Sequence, residues 1–243
     1  MSSALPFPFP LSGSEVQKRR AVILTQLLAN DEGFCNVPVT SLKSETLRLL
    51  LDRYDHLFLS GFLTASFGQI DVTLSSRLTS SAGKFIYLKN KLSRMKKAEI
   101  RMSSDFLFRL NQGPFELNGL CVATAQEAFL VVFEHELCHA LEVALFGSTG
   151  HSNRFLTLAN GLFSHTGTKH SLPTRKTEAA LNGLSVGMHV SFIFEGKQFT
   201  GLVTYVGKTA TVMVPSLRGT YRDKAGRRYT KYRVPLNLLN VSK

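Results

Sequence analysis

The stretch His135-Glu136-Leu137-Cys138-His139 decides how the rest of this sequence is interpreted. On a helix, side chains four residues apart lie on one face, so the imidazoles of His135 and His139 can reach one metal ion. Zn²⁺ accepts imidazole nitrogens at about 2.0–2.1 Å. Glu136 lies beside the first of them, where it can act as general base for a water molecule that attacks a carbonyl. The motif therefore predicts a zinc-dependent hydrolytic site, with His135 and His139 as ligands and Glu136 as the catalytic residue.

The residues that flank the motif predict that it lies within one long helix. Thr124 followed by Glu127 matches a capping box, in which both side chains accept hydrogen bonds from backbone N–H groups that the helix leaves free. Gly147 is suited to the left-handed position at which such a helix ends. Ser152 is then predicted to cap a second helix from Asn153 to Asn160, closed by Gly161.

A catalytic zinc site needs a third protein ligand and an open fourth position. The metzincin pattern is excluded, because Leu145 stands where that class has its third His. His151 follows a glycine-containing turn that can bring the chain back to the metal, so it is the predicted third ligand. Glu142 is the alternative, since it shares a helix face with the motif histidines. Three side chains of a straight helix rarely converge on one ion, so we expect Glu142 to support a ligand.

Other residues near the motif are predicted to lie outside the site. Glu134 is expected at the surface, and Cys138 is expected to face away from the metal and pack in the core. His56, His165 and His170 are expected at surface or loop positions, with an approach of His165 to the metal as a lesser alternative.

Three further segments accompany the motif in a fixed order. Ser76-Arg77-Leu78-Thr79-Ser80-Ser81-Ala82-Gly83 and Glu99-Ile100-Arg101-Met102-Ser103 precede Phe133-Glu134-His135-Glu136-Leu137-Cys138-His139-Ala140, and Gly150-His151-Ser152-Asn153-Arg154-Phe155 follows it. Together they resemble the SprT-like (Spartan-type) metalloprotease family over roughly residues 45 to 165. Ser152 departs from the family's second Gly in the last segment, and the Cys-rich zinc ribbon of many bacterial members is absent.

The resemblance implies His135, His139 and His151 as zinc ligands and Glu136 as the catalytic residue. It also implies an α+β fold, a compact zincin-like metalloprotease domain in which the motif helix packs on a small sheet. Members of the eukaryotic branch cleave proteins crosslinked to DNA and are switched on by DNA, so the resemblance suggests DNA–protein crosslink repair by analogy.

Positive charge is concentrated in the C-terminal part of the chain. The 243 residues carry a formal net charge of +12, and residues 171–243 contribute +9 of it. Short strand-like runs between Val190 and Val234 predict a small all-β SH3-like barrel of about five strands. We therefore predict four parts, namely a flexible N-terminal arm (1–14), the metalloprotease domain (15–170), a linker (171–184) and a basic β-barrel domain (185–243).

Aromatic residues alternate with cations in this basic domain. The runs are Tyr221-Arg222, Arg227-Arg228-Tyr229 and Lys231-Tyr232-Arg233. Cations neutralise phosphates, and tyrosine rings stack on unpaired bases. The pattern predicts a nucleic-acid-binding surface, with DNA as the first candidate, formed by Arg222, Arg227, Arg228, Lys231 and Arg233. A solvated surface, or a barrel that packs on the protease domain or binds a protein, is the alternative.

The remaining composition bears on the compartment. Cys35, Cys121 and Cys138 form no CxxC pair, and neither a signal peptide nor an apolar run long enough for a bilayer is visible. We expect a soluble intracellular protein, cytoplasmic or nuclear, with no membrane partner.

Two functions are consistent with these features. The first is a zinc endopeptidase of SprT-like type that acts on protein substrates, including ones attached to nucleic acid. The second is a nucleic-acid-binding protein whose zinc site is structural or inactive. Glu136 favours the first, because a structural zinc site needs no adjacent base and usually takes four protein ligands.

Overall fold

The computed structural model describes residues 5–79, 81–89, 96–110, 112–168, 172 and 183–241. The chain divides into two compact units, Met1–Leu172 and Pro173–Lys243. The first unit mixes helices and strands, and the second contains one antiparallel sheet, which confirms the predicted α+β class. The predicted linker falls largely on residues outside the described ranges.

The described part of the first unit contains seven helices and five strands. The helices are α1 (Gly13–Asn30), α2 (Glu32–Cys35), α3 (Ser44–Leu59), α4 (Phe62–Phe67), α5 (Ser104–Leu107), α6 (Ala125–Phe146) and α7 (Asn153–Phe163). The strands are β1 (Ile70–Ser75), β2 (Gly83–Lys89), β3 (Lys96–Ser103), β4 (Gln112–Leu117) and β5 (Leu120–Thr124). β3 lies between β1, which runs parallel to it, and β2, which runs antiparallel. β4 and β5 form a separate hairpin.

The motif lies on α6, the central helix of this unit. Both hydrogen bonds of the predicted Thr124–Glu127 capping box are present, and Gly147 ends the helix with a φ of 73°. Every residue from Ala128 to Phe133 is buried, and so is Cys138, as predicted. Each large apolar side chain buried in this way contributes about 1.5–3 kcal/mol to the free energy of unfolding. The first half of α6 is therefore a firm base for the motif that follows it.

The described residues before α1, 5–12, pack on the first unit and so differ from the loose arm that the sequence predicts. Phe7 is buried and packs edge-on against Phe62, with ring centroids 5.5 Å apart. The N–H of Leu11 donates to the carbonyl of Gly161 at 2.8 Å, and the ring of Phe9 occupies the space where a side chain at residue 161 would lie. Gly161 therefore serves close packing and does not end α7, which continues to Phe163.

The second unit consists of six described strands in one antiparallel sheet. They are β6 (His189–Phe194), β7 (Lys197–Val206), β8 (Thr209–Pro215), β9 (Tyr221–Arg222), β10 (Arg228–Pro235) and β11 (Asn240–Val241), in the spatial order β11-β6-β7-β8-β10-β9. One face buries its own cluster of apolar residues, including Val190, Phe192, Val203 and Val212. β9 and β11 were not predicted, since strands of two residues are too short to show alternation.

Among the described residues, no helix combines the length and the apolar character that crossing a membrane requires.

Candidate metal centre

Three histidine side chains converge beside the central part of α6. His135 and His139 project from the helix, and His151 reaches them from the turn that follows it. One ligand nitrogen from each lies within 4.8 Å of the other two, and the Nε2 atoms of His135 and His151 are 3.0 Å apart. Three nitrogens bound to one tetrahedral zinc lie about 3.4 Å from one another, a spacing between these values. The donor set fits a metal ion, and within the described ranges it is the one group of His, Cys, Asp or Glu that does so.

Phe155 supports all three imidazoles. Its ring centroid lies 4.8, 4.7 and 5.0 Å from the ring centroids of His135, His139 and His151, and the side chain is fully buried. Phe155 is in the first turn of α7, so the start of that helix sets one wall of the site. This ring limits how far the imidazoles can rotate.

Burial keeps His139 neutral. It lowers the pKa of His139 to about 4, the nearby His151 lowers the pKa further, and Glu142 opposes both. At neutral pH the imidazole therefore has a lone pair, which is the form that a metal binds. Glu142 itself is buried and bonds to the turn that carries His151. It is not in the group of converging ligand atoms, which contains the three histidines.

Glu136 faces the strand that borders the motif helix. A Cβ atom on Gly83 would come within 2.7 Å of its Cγ and 2.8 Å of its Oε1, so the carboxylate rests directly on a residue without a side chain. Only 5% of Glu136 is exposed. Burial raises its pKa to about 7, against a hydrogen bond from the backbone of Phe85, which lowers the pKa. A carboxyl group with this pKa can accept a proton near neutral pH and return it.

The raised pKa of Glu136 predicts a pH-dependent effect on the stability of the metal-free protein. Because the unfolded chain has an ordinary pKa near 4.5, the native state loses stability as the pH rises from there through about 7. A Glu136→Gln variant has no such charge. We expect it to be about 2–3 kcal/mol more stable than the native chain at pH 8 and nearly equal to it at pH 4.

This effect can be measured by urea unfolding of both metal-free proteins at the two pH values. All other titrating groups are common to the pair and cancel in the difference. A difference in the free energy of unfolding that is the same at pH 4 and pH 8 would contradict the burial of an ionisable Glu136.

A cavity of about 350 Å³ opens beside the histidines and Glu136. It lies between α6 and the beginning of β2, which pairs with β3 alone among the described strands. Asn118 also lines it, from the turn of the β4–β5 hairpin, where Asn118 and Gly119 both have positive φ. This hairpin was not predicted, although Asn-Gly between two apolar runs is a strong signal for it.

Two residues that were predicted to lie outside the metal site are buried together on the far side of α6. Glu134 and His165 are both fully buried, and His165 Nε2 lies 2.9 Å from Glu134 Oε2. Arg20 donates two hydrogen bonds to the same carboxylate, from Nε at 2.9 Å and from Nη2 at 2.8 Å, and the Tyr54 hydroxyl donates a third at 2.7 Å. The prediction of a surface Glu134 was wrong, because α6 is buried on this face too. His165 lies in the loop after α7, one of the two kinds of position predicted for it, but it is buried there and not exposed. His165 does not approach the three histidines. His56 is exposed as predicted, and His170 lies outside the described residues.

The basic residues of the second unit do not form one patch. Arg222 and Arg228 are cross-strand partners on one face of the β9–β10 pair. Lys231 and Arg233 lie on the opposite face, because side chains alternate along β10 and the buried Val234 marks the core side. Arg227 is in the turn before β10 and donates to Asp223 at 2.7 Å, so its charge is already paired.

The comparisons with known proteins place the chain in a family. The model described as the SprT-like family matches residues 47–177, more than half of the 243 residues, and this range contains all four motif segments. The search of the curated proteins finds no match. With the family match spanning the strands, the motif helix and the turn that carries His151, the chain belongs to the SprT-like family.

Proposed function

We propose that this protein is a zinc-dependent endopeptidase in which His135, His139 and His151 hold the metal and Glu136 is the catalytic residue. The observation that carries the proposal is the convergence of the three imidazoles at a cavity that a buried carboxylate also borders. Zinc bound there supplies a Lewis acid that polarises the scissile carbonyl and acidifies the attacking water.

Glu136 moves the protons of the reaction. It accepts a proton from the water as the oxygen attacks the peptide carbonyl, and it donates that proton to the amide nitrogen as the C–N bond breaks. The same residue serves both steps because its pKa of about 7 lies close to neutral pH. Gly83 leaves room for the carboxylate, since a Cβ atom at this position would come within 2.8 Å of Glu136 Oε1.

The edge strand β2 supports a peptide substrate. Residues 81–85 line the cavity, and one side of β2 has no partner strand among the described residues. An extended segment can bind to such an edge through backbone hydrogen bonds, which requires no particular sequence. We propose on this basis that the domain is zincin-like, with the substrate lying along β2 and across the histidines.

The test is to measure bound zinc and cleavage of a loosely folded protein such as casein. The native chain should bind one equivalent of zinc per chain, lose cleavage when a chelator removes it, and regain cleavage when zinc is restored. Bound zinc without any cleavage would contradict the proposal. That outcome would support the alternative of a nucleic-acid-binding protein with a structural or inactive zinc site.

We further propose that the second unit binds nucleic acid, so that the endopeptidase acts on proteins attached or crosslinked to DNA. The face formed by Tyr221, Tyr229, Lys231 and Arg233, here called the tyrosine–cation face, supports this. Lys231 Nζ lies 5.6 Å from the centroid of the Tyr221 ring, which is half-exposed. A 3-10 turn over Leu236–Leu238 brings the chain back so that β11 pairs with β6, which supports closure as an SH3-like barrel.

Replacing Lys231 and Arg233 together with Gln should weaken binding of single-stranded DNA. The slope of log affinity against log salt should become less negative by about 0.7 for each phosphate that the variant no longer neutralises. Arg227→Gln is the matched control, and it should change binding little because Asp223 already neutralises Arg227. Fluorescence anisotropy over a salt series measures both. A second double variant, Arg222→Gln with Arg228→Gln, tests the opposite face of the sheet. If only this variant bound DNA more weakly, the DNA-binding surface would lie on that opposite face.

A further inference from the structure

The turn that carries His151 is tied to α6 by one buried carboxylate. Glu142 is 1% exposed and lies one helical turn beyond His139. Its Oε2 accepts hydrogen bonds from the Thr149 hydroxyl and the Gly150 N–H, both at 2.9 Å, and its Oε1 lies 3.5 Å from the Ser152 hydroxyl. These donors lie on both sides of His151 in the chain. The carboxylate therefore determines where the turn can lie.

The same carboxylate acts on His139 through Thr149. The Thr149 hydroxyl lies 2.7 Å from His139 Nδ1. A threonine hydroxyl has one proton, and here it is donated to Glu142, so the oxygen can only accept from the imidazole. His139 must then have its proton on Nδ1, which leaves the lone pair on Nε2. Which nitrogen of a histidine can bind a metal is set by the hydrogen bond that the other nitrogen makes.

We propose that Glu142 and Thr149 are positioning residues of the metal centre. Through Thr149, Glu142 selects the His139 tautomer whose Nε2 can bind zinc, and through the turn it holds His151 next to the other two histidines. This inference rests on the proposed function only in taking the three histidines as zinc ligands. It assigns a definite role to the carboxylate that would otherwise be a competing ligand.

The test compares zinc affinity among variants of Thr149 in the full chain. Thr149→Val removes the hydroxyl and keeps the shape, and Thr149→Ser keeps the hydroxyl. Competition with a chromophoric chelator should give an affinity about 10–100-fold lower for Thr149→Val and close to native for Thr149→Ser. Glu142→Gln should also lower the zinc affinity relative to the native chain. Thr157→Val is the matched control, because Thr157 is exposed and its hydroxyl donates to the Asn153 carbonyl of the same helix, α7.

A second readout detects the tautomer without any metal or substrate. Correlation of ring ¹⁵N and carbon-bound ¹H signals in the metal-free protein should show His139 protonated on Nδ1 in the native chain and in Thr149→Ser. Thr149→Val should show a mixture of both tautomers. The melting temperature of Thr149→Val is measured alongside. If Thr149 contributed only to the stability of the fold, a Thr149→Val variant with the native melting temperature would also have the native His139 tautomer.

The outcomes separate the two proposals. Native zinc affinity in Thr149→Val, or a proton on His139 Nε2 in the native chain, would overturn the positioning role. A native chain that binds zinc and has the expected tautomer, but cleaves no protein, would overturn the endopeptidase proposal and leave the positioning role standing.

Discussion

A Glu136→Gln variant is expected to cleave a protein substrate about 10³-fold more slowly than the native chain while it binds zinc through the same histidines. General acid–base catalysis contributes about 10²–10⁴-fold to such reactions, and Gln can neither accept nor return the proton. The change preserves the size of the side chain, so its contact with Gly83 and the cavity beside the histidines should remain. The loss should therefore appear in kcat.

The measurement is the initial rate of casein cleavage at saturating zinc, with zinc content determined on the same samples. Glu45→Gln is the matched control, because Glu45 is exposed at the start of α3 and should have no effect on the rate. A Glu136→Gln variant that retains a tenth or more of the native rate would show that another group transfers the protons. The same variant should be more stable than the native chain at pH 8, since the buried carboxylate to which we assign the catalytic role destabilises the fold once it is charged.

Local features of the site could be predicted from the sequence because their physics is local. The capping box needs only Thr124 and Glu127, which are three residues apart, and the helix end needs only Gly147. The spacing of His135 and His139 determines a shared face once the helix exists. His151 required one further step, namely the glycine-containing turn, and the structure brings it next to the other two.

Features that depend on distant residues could not be predicted. Arg20 is 114 residues from Glu134, and nothing in either neighbourhood indicates the pair. One signal was available, since a helix that is apolar on all sides from Ala128 to Phe133 must be buried, and a charge next to that run then requires a partner. In the second unit the sequence predicted five basic residues as one surface. Alternation along β10 places Lys231 and Arg233 on the face opposite Arg228, and an ion pair with Asp223 neutralises Arg227. Both arrangements depend on how the strands begin, end and pair.

An Arg20→Met variant is expected to lose about 3–5 kcal/mol of the free energy of unfolding, because it removes the guanidinium charge that neutralises the buried Glu134 carboxylate. Glu134 is fully buried, and the Arg20 side chain is only 7% exposed. Burial alone would raise the pKa of Glu134, but the charge of Arg20 and the hydrogen bonds from His165 and Arg20 outweigh it and hold that pKa below its ordinary value. The native pair therefore stabilises the fold at neutral pH, and this contribution is lost as the pH falls through the lowered pKa.

The pH dependence of the variant tests this cause. Without Arg20 the pKa of Glu134 should rise, so the buried carboxyl can take up a proton at pH 5 and the destabilisation should be smaller there than at pH 8. Urea unfolding at the two pH values measures the difference. Arg48→Met, an exposed arginine on α3, should stay within about 0.5 kcal/mol of the native chain. If the loss were one of packing alone, it would be equal at both pH values, and adding Glu134→Gln to Arg20→Met would recover none of it. Partial recovery in that double variant is the expected result, because removing the second charge removes the cost of burying it.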